Sequence, residues 1–334
     1  RDRSMAILRC NKCGLLAEQG DGLAGQSVAC PKCAEPAKVY PTLFFIERLL
    51  DKYFDAQREL IRLKSPPATA HKPAQAAAAA APLAGLDLGN TDQLATEIQH
   101  GPIYDWFHKR QIKVQADLRG VDTSGFFDEA AEAIGSNLML FKEVVDRIRW
   151  SQQKEYNGTT IKLEKKTPNE AKALLAFCQQ LYDFSLVAKC FYNKQENNIR
   201  LILQTAPAIR QFFNGEWLEW HALMSSLRYA KERGRRISCA RGLEIVLTNG
   251  DPYELDVFML VDGTTPICIE CKSGEFRQNI DRYLALKKRL GLAGKQFLMY
   301  IAGLEDEKAR AYTAMYDISF VNEQGLAEHL SRLF

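Results

Sequence analysis

The chain has 334 residues, 46% of them apolar and 25% charged, with a formal net charge of +3. This composition excludes collagen-like and disordered classes, and no apolar run approaches the roughly 18 residues that a membrane-spanning helix needs. A charge so near balance neither demands nor forbids a nucleic-acid partner, because local patches decide that, and the length predicts two or three domains, each able to bury a core.

The nine cysteines are unevenly spread. Four form the pairs Cys10-x2-Cys13 and Cys30-x2-Cys33, and the other five are scattered through apolar segments. An odd total so distributed, with no secretory signal at the start, predicts a reducing, cytoplasmic setting. Arg1 to Ser4 read as a tag remnant ahead of a natural start at Met5.

Residues 5–40 hold both cysteine pairs. Two matched pairs, each on a tight knuckle, supply four thiolates for one tetrahedral Zn2+. The sizeable apolar side chains here are few, Leu8, Leu15, Leu23, Val28 and Val39 among them. Metal is therefore expected to be part of this segment's stability. The segment resembles a zinc ribbon, and whether it touches nucleic acid or protein stays open.

Residues 41–64 follow. Leu43, Ile46, Leu49, Leu50, Tyr53 and Phe54 recur at spacings of three and four, the signature of one broad helix face. Two readings stand beside each other: a seam between copies in a homodimer, or a helix packed on its own chain. Residues 65–89 turn to Ala and Pro, which marks a linker.

Residues 90–206 are expected to form a middle domain. Short helices are predicted over 92–99, 103–110 and 126–134, with an extended piece over 111–119. Helical spacing runs from Leu138 to Gln152, and Thr159 to Glu164 alternates like a strand. Thr167-Pro168-Asn169-Glu170 is a capping box opening a helix to about Phe184. Two strands then pair across 193–198. Helix, strand, helix, hairpin is the order of a winged helix. Lys162, Lys165, Lys166, Lys189, Lys194 and Arg200 are its candidate phosphate contacts; a protein contact or a simple joint between domains is the competing reading.

Residues 207–334 read as αβββαβαβα, which predicts an α/β domain with a mixed central sheet flanked by helices. Glu216 and Glu219 share a face of the leading helix. Arg228 to Arg241 is the densest basic cluster; Arg235 and Arg236 in it are candidate nucleic-acid contacts, against a solvated turn as the alternative. The focal stretch is Pro252 to Glu275, two apolar strands turning at Asp262-Gly263. Charges inside such strands cost several kcal/mol unless paired or bound to metal, yet Asp256, Glu270 and Lys272 sit there. Glu270 and Lys272 are two apart and share a face. If Asp256 lies across the ladder, two carboxylates and an ammonium converge, an arrangement suited to a divalent ion, a phosphodiester and a water.

The run GEWLE, ELDVFML, CIECKSG, spanning about Asn214 to Tyr300, resembles the PD-(D/E)XK nuclease fold. More narrowly, it is similar to the nuclease domain of the CARF-domain ancillary nucleases of type III CRISPR systems. The resemblance implies that Asp256 and Glu270 coordinate Mg2+ or Mn2+, with Glu219 completing the site and Glu216 the weaker claimant. Lys272 would orient or activate the attacking water. Arg277 and Arg282, just past the second strand, would hold flanking phosphates. His221, beside Glu219, reads as structural. Leu255 stands where the motif name has proline, and a ribbon and winged helix stand where those proteins carry a nucleotide-sensing domain, so cyclic oligoadenylate sensing is not implied. The expected function is a metal-dependent nuclease acting on nucleic acid, DNA favoured over RNA, in defence against foreign DNA, as a dimer and away from membranes. The alternative is a nucleic-acid-binding regulator or assembly subunit whose nuclease-like domain does not cut.

Overall fold

The computed structural model describes residues 5–46, 94–121 and 126–334. The chain divides into two compact units, at residue 75.

In the first unit β1 (Met5–Arg9), β2 (Leu16–Gly20), β3 (Ser27–Ala29) and β4 (Pro36–Pro41) form an antiparallel sheet in the order β2-β1-β4-β3. Its core is small. Ala6, Leu8, Ala37 and Val39 are buried with Cys10 and Cys30, far too little apolar area to hold such a short segment folded by itself. Of the helix predicted over 41–64, residues 42–46 are helical. Its remainder, where a dimer seam was expected, and the linker of 65–89 lie outside the described residues.

The second unit opens with α1 (Glu97–His108), β5 (Lys113–Gln115), α2 (Phe127–Ser136) and α3 (Leu138–Gln153). Next come β6 (Gly158–Lys162), α4 (Pro168–Asp183), β7 (Val187–Asn193) and β8 (Asn198–Leu203). The capping box is formed: the Thr167 hydroxyl accepts from the Glu170 N–H at 3.3 Å while Thr167 N–H donates to the Glu170 carboxylate at 2.8 Å. The strands order as β6-β8-β7, all antiparallel. Helix, strand, helix, hairpin is thus the order found.

The rest comprises α5 (Pro207–Gln211), α6 (Trp217–Glu232), β9 (Ile237–Val246), β10 (Pro252–Val261), β11 (Thr265–Lys272) and α7 (Ile280–Leu290). β12 (Phe297–Ile301), α8 (Asp306–Tyr316), β13 (Ser319–Val321) and α9 (Glu323–Leu333) complete it. A six-stranded mixed sheet runs β13-β12-β11-β10-β9-β5. β9, β10 and β11 form an antiparallel meander, and β11, β12 and β13 are parallel through the crossovers α7 and α8. From α6 onward the element order is the αβββαβαβα that the sequence predicts. β11 and β12 are buried on both faces, which is why they read as continuous apolar runs.

The boundary expected at residue 206 does not separate two cores. β5 pairs with β9, Val114 opposite Ile245, and α1 sets Trp106 and Phe107 against Phe258 at 5.2 and 4.9 Å between ring centres. One apolar cluster also runs from Leu94 through Ile161, Phe177 and Leu201 to Leu218, Ile269 and Phe334. The three-stranded sheet packs on α3 and α4, these meet α2, and α2 packs on α6, so the module's apolar surface is continuous with that of the large sheet. α2 and α6 meet at Gly135, where an added Cβ would lie 2.1 Å from the His221 ring. Burial holds that imidazole neutral, its pKa pushed down to about 4, and its Nδ1 meets the Tyr300 hydroxyl at 2.7 Å. His221 is a packing residue.

Candidate active site

The β10–β11 ladder ends at Val257 opposite Ile269. One step further, the chain exchanges main-chain pairing for side-chain contacts. Cys271 N–H donates to Asp256 Oδ2 at 2.6 Å, and Lys272 Nζ reaches the same oxygen at 2.9 Å and Glu270 Oε2 at 3.6 Å. The convergence expected of Asp256, Glu270 and Lys272 is present. On the other side, the β9 pairs Leu255–Leu243 and Val257–Arg241 bracket Asp256 and place Gly242 across from it at φ 61°. That left-handed conformation bends the ribbon here. Apolar alternation slips with it: Leu255 and Phe258 both face one core, Val257 the other. Asp256 occupies the slip, where a side chain is not committed to either core.

Glu216 and Glu219 arrive from α6. A wide turn over Phe212–Glu216, with Gly215 at φ 149°, turns the chain from α5 into α6. Arg241 of β9 donates to Glu219 Oε2 at 3.0 Å and stands 3.7 Å from Glu216 Oε2. It is itself fixed by Gly120 C=O, which accepts from Nε at 2.8 Å, and by the Trp220 ring at 4.5 Å. The resulting open cleft is lined by Asn214, Glu216, Glu219, Asp256, Lys272 and Ser273, among others.

The electrostatics are those of crowded, half-dry carboxylates. Glu270 is 2% exposed and its Oε1 has no hydrogen-bond partner. Burial, reinforced by the Asp256 charge, pushes its carboxyl up to about 8. Glu219 is pushed to about 8 by the same two causes, with Arg241 opposing them. For Lys272 burial disfavours the ammonium, but Asp256 and Glu270 outweigh it and hold its pKa above the ordinary lysine range.

A pH dependence follows. Glu270 and Glu219 bind protons more tightly folded than unfolded, where 4.5 is the ordinary value. Their contribution is therefore fully present below about 4.5 and is lost as pH rises towards 8. Glu270→Gln, permanently neutral, is expected to gain on wild type by on the order of 1–3 kcal/mol between pH 5 and pH 8. Urea unfolding at the two pH values reads this difference, and a wild-type-to-variant gap that does not change with pH would refute it.

Two donor sets differ in readiness for a metal. The four cysteines have ligand atoms all within 4.8 Å of one another, the one such group among the described residues. Cys10–Cys33 and Cys13–Cys30 sulfurs are 3.5 and 3.6 Å apart, close to the ~3.8 Å edge of a tetrahedron with Zn–S bonds of about 2.3 Å. The two knuckles match: Gly14 N–H bonds Cys10 C=O at 3.0 Å and Ala34 N–H bonds Cys30 C=O at 2.9 Å. The Cys13 N–H lowers the Cys10 thiol to about 6, while, against the Glu35 N–H, burial and the neighbouring thiols push Cys33 up to about 12, so the four give up their protons unequally and ligation must displace the last of them. This set is able to bind a metal such as zinc. Glu219, Asp256 and Glu270 do not close to the same degree, since Arg241 holds the first and Lys272 the second. Their carboxylate oxygens nonetheless suit a hard divalent cation, and the orphaned Glu270 Oε1 is the kind of buried atom that such a cation would satisfy.

The remaining predicted residues fall elsewhere. Arg235 bonds Asp262 at 2.9 Å and the Phe334 carbonyl at 2.8 Å, and the Arg236 N–H bonds Asp262 at 3.1 Å. Asp262 lies at the turn of the hairpin, six residues and so roughly 20 Å along β10 from Asp256. Arg235 and Arg236 are thus not brought to the cleft, and Arg228 pairs with Glu132. Arg277 stands beside Glu275 at 3.6 Å, and Arg282 stacks over Tyr253 at 4.5 Å near the start of β10. Sequence reasoning counted Arg241 with the basic cluster and missed its place among the carboxylates. An arginine inside the apolar strand ISCARGLEIV carries the same signal that singles out Asp256.

No family model matches the chain, and no curated protein matches it. Among solved structures it is similar to protein VC1899 from Vibrio cholerae, with a TM-score of 0.46 and 16% identity over 69% of this chain and 60% of that one. It is also similar to Can2 from Sulfobacillus thermosulfidooxidans, solved in complex with cyclic tetra-adenylate, with a TM-score of 0.47 and 17% identity over 69% of this chain and 59% of that one. The chain matches less than two thirds of the length of either.

Proposed function

We propose that the protein is a metal-dependent nuclease hydrolysing phosphodiester bonds in nucleic acid, with DNA the favoured substrate. The observation that carries this reading is the meeting of Asp256, Lys272 and Glu219 in one open cleft, with the buried Glu270 carboxylate 3.6 Å from Lys272 Nζ behind it. Asp256 and Glu270 are the residues to hold Mg2+ or Mn2+, with Glu219 joining through a water or after release from Arg241. Bound there, such an ion supplies a Lewis acid and lowers the pKa of a water. Lys272 Nζ, between the two carboxylates, orients the attacking water and offsets charge growing on the phosphate. Arg277 and Arg282, beyond β11, hold neighbouring phosphates. The four-cysteine unit carries structural zinc. Action against foreign DNA is the setting that the sequence resemblance implies, a homodimer is the expectation from the apolar face of residues 43–64, and a cytoplasmic setting is that from the cysteine distribution.

The test is incubation of the purified protein with Mg2+ or Mn2+ and single- or double-stranded DNA or RNA, with Asp256→Ala alongside. Wild-type protein is expected to cleave at least one substrate, and Asp256→Ala to be slower by at least about 10³-fold. Cleavage of none with any divalent ion, or an undiminished rate in the variant, would overturn the reading in favour of a binding protein that does not cut.

A further inference from the structure

The β6-β8-β7 sheet presents two unlike faces. One is apolar: Ile161, Ile199 and Leu201 point into the core. The other is set by register. Thr160, Arg200 and Phe191 stand side by side across the three strands, as do Gly158, Ile202 and Lys189, and then Lys162, Asn198 and Asn193. These nine positions hold three cations, one aromatic ring and no carboxylate. Phe191 is 51% exposed, and Lys162, Lys189 and Arg200 are exposed as well. No carboxylate pairs with these cations among the described residues. The same face bounds an open groove whose margin adds Lys194 and Tyr156, the latter 54% exposed, along with Glu155 and Glu196. Glu196 is engaged by Asn198 at 2.9 Å.

Unpaired cations, one from each strand of a single sheet face, and an unburied ring beside them match a specific ligand chemistry. Phosphates at regular intervals take the cations, and an unstacked base takes the ring, because every base has a π-face. A duplex offers the phosphates and hides the faces. Charge complementarity selects a polyanion, and the ring selects an unpaired strand. We propose that the open face of the β6-β8-β7 sheet binds single-stranded nucleic acid, with Arg200, Lys189 and Lys162 holding phosphates and Phe191 stacking on a base. At Gly158 an added Cβ would come 2.6 Å from the Leu201 carbonyl, so no larger residue fits opposite Ile202.

Fluorescence anisotropy of the full chain without added divalent ion tests this, using labelled oligothymidylate, oligouridylate and a DNA duplex of about 20 units each. Phe191→Ala is expected to weaken single-strand binding about tenfold, with Phe191→Trp restoring it and the duplex affected little. Arg200→Ala is expected to lower the salt slope by about one. Equal affinity for the two oligomers, or a preference for oligouridylate through its 2′-hydroxyl, both agree with the proposal. Unchanged affinity in Phe191→Ala and Arg200→Ala, or an equal loss for duplex in Phe191→Ala, would overturn it. Both positions are exposed, so an unchanged unfolding midpoint separates these losses from misfolding. The readout is binding alone, which keeps failure here distinct from failure of the α6–β11 cleft to cut.

Discussion

Lys272→Ala is expected to reduce divalent-ion-dependent cleavage by on the order of 10³-fold or more and to destabilise the fold at the same time. Its ammonium is the cation in contact with both Asp256 and Glu270. Removing it leaves one carboxylate 2% exposed and another beside it with no opposing charge. Breaking such a pair costs about 3 kcal/mol, more than the pair itself contributes, because an uncompensated charge stays buried. The loss should be smaller at pH 5 than at pH 8, since Glu270, already pushed to about 8, can take a proton and cease to be a charge. Single-turnover cleavage and urea unfolding of one preparation measure both effects. A folded variant cutting at the wild-type rate would remove Lys272 from the chemistry, and a stability loss independent of pH would contradict the charge argument.

Cys30→Ser is expected to have the largest structural effect. Cys30 is 2% exposed in a core whose other buried members are Ala6, Leu8, Ala37, Val39 and the ligand Cys10. A structural zinc supplies roughly 10 kcal/mol or more of folding free energy in units of this size, and a serine oxygen replaces the thiolate poorly. Wild-type protein should carry one zinc per chain by elemental analysis, and the variant much less, with amide protection over residues 5–41 lost. Retention of both metal and protection would show that the segment folds on its own apolar contacts.

How much of this could be read from the sequence depended on the range of the signal. The hairpin and its charges were legible because strand alternation, a turn at Asp262-Gly263 and misplaced ionisable groups are local. The cysteine knuckles were legible for the same reason, as was the capping box at Thr167. What failed was non-local. β5 falls within the extended piece expected over 111–119, but nothing local says that it pairs with β9, so the domain boundary was drawn at residue 206, between two parts of one core. Arg235 and Arg236 sit near the hairpin in sequence, but composition cannot tell which end of a strand faces the cleft. Arg241, further along in β9, lands among the carboxylates because that strand runs back towards them. Glu219 was legible by motif, its partner was not.

The pairing of β5 with β9 also bears on how the molecule assembles. Val114 and Ile245 are separated by roughly 130 residues of intervening chain, so this is among the contacts of highest sequence separation and its loop-closure cost is met before any reward. Until β5 arrives, β9 presents a row of unused N–H and C=O groups along a strand with a buried face, a template for any other chain in an extended state. A fragment beginning at residue 207 would carry every cleft carboxylate and Lys272, yet it would keep that edge permanently open. The short strand ahead of the helical region thus caps the open edge of the half that carries the cleft, and the three-stranded module lies within the loop that it closes.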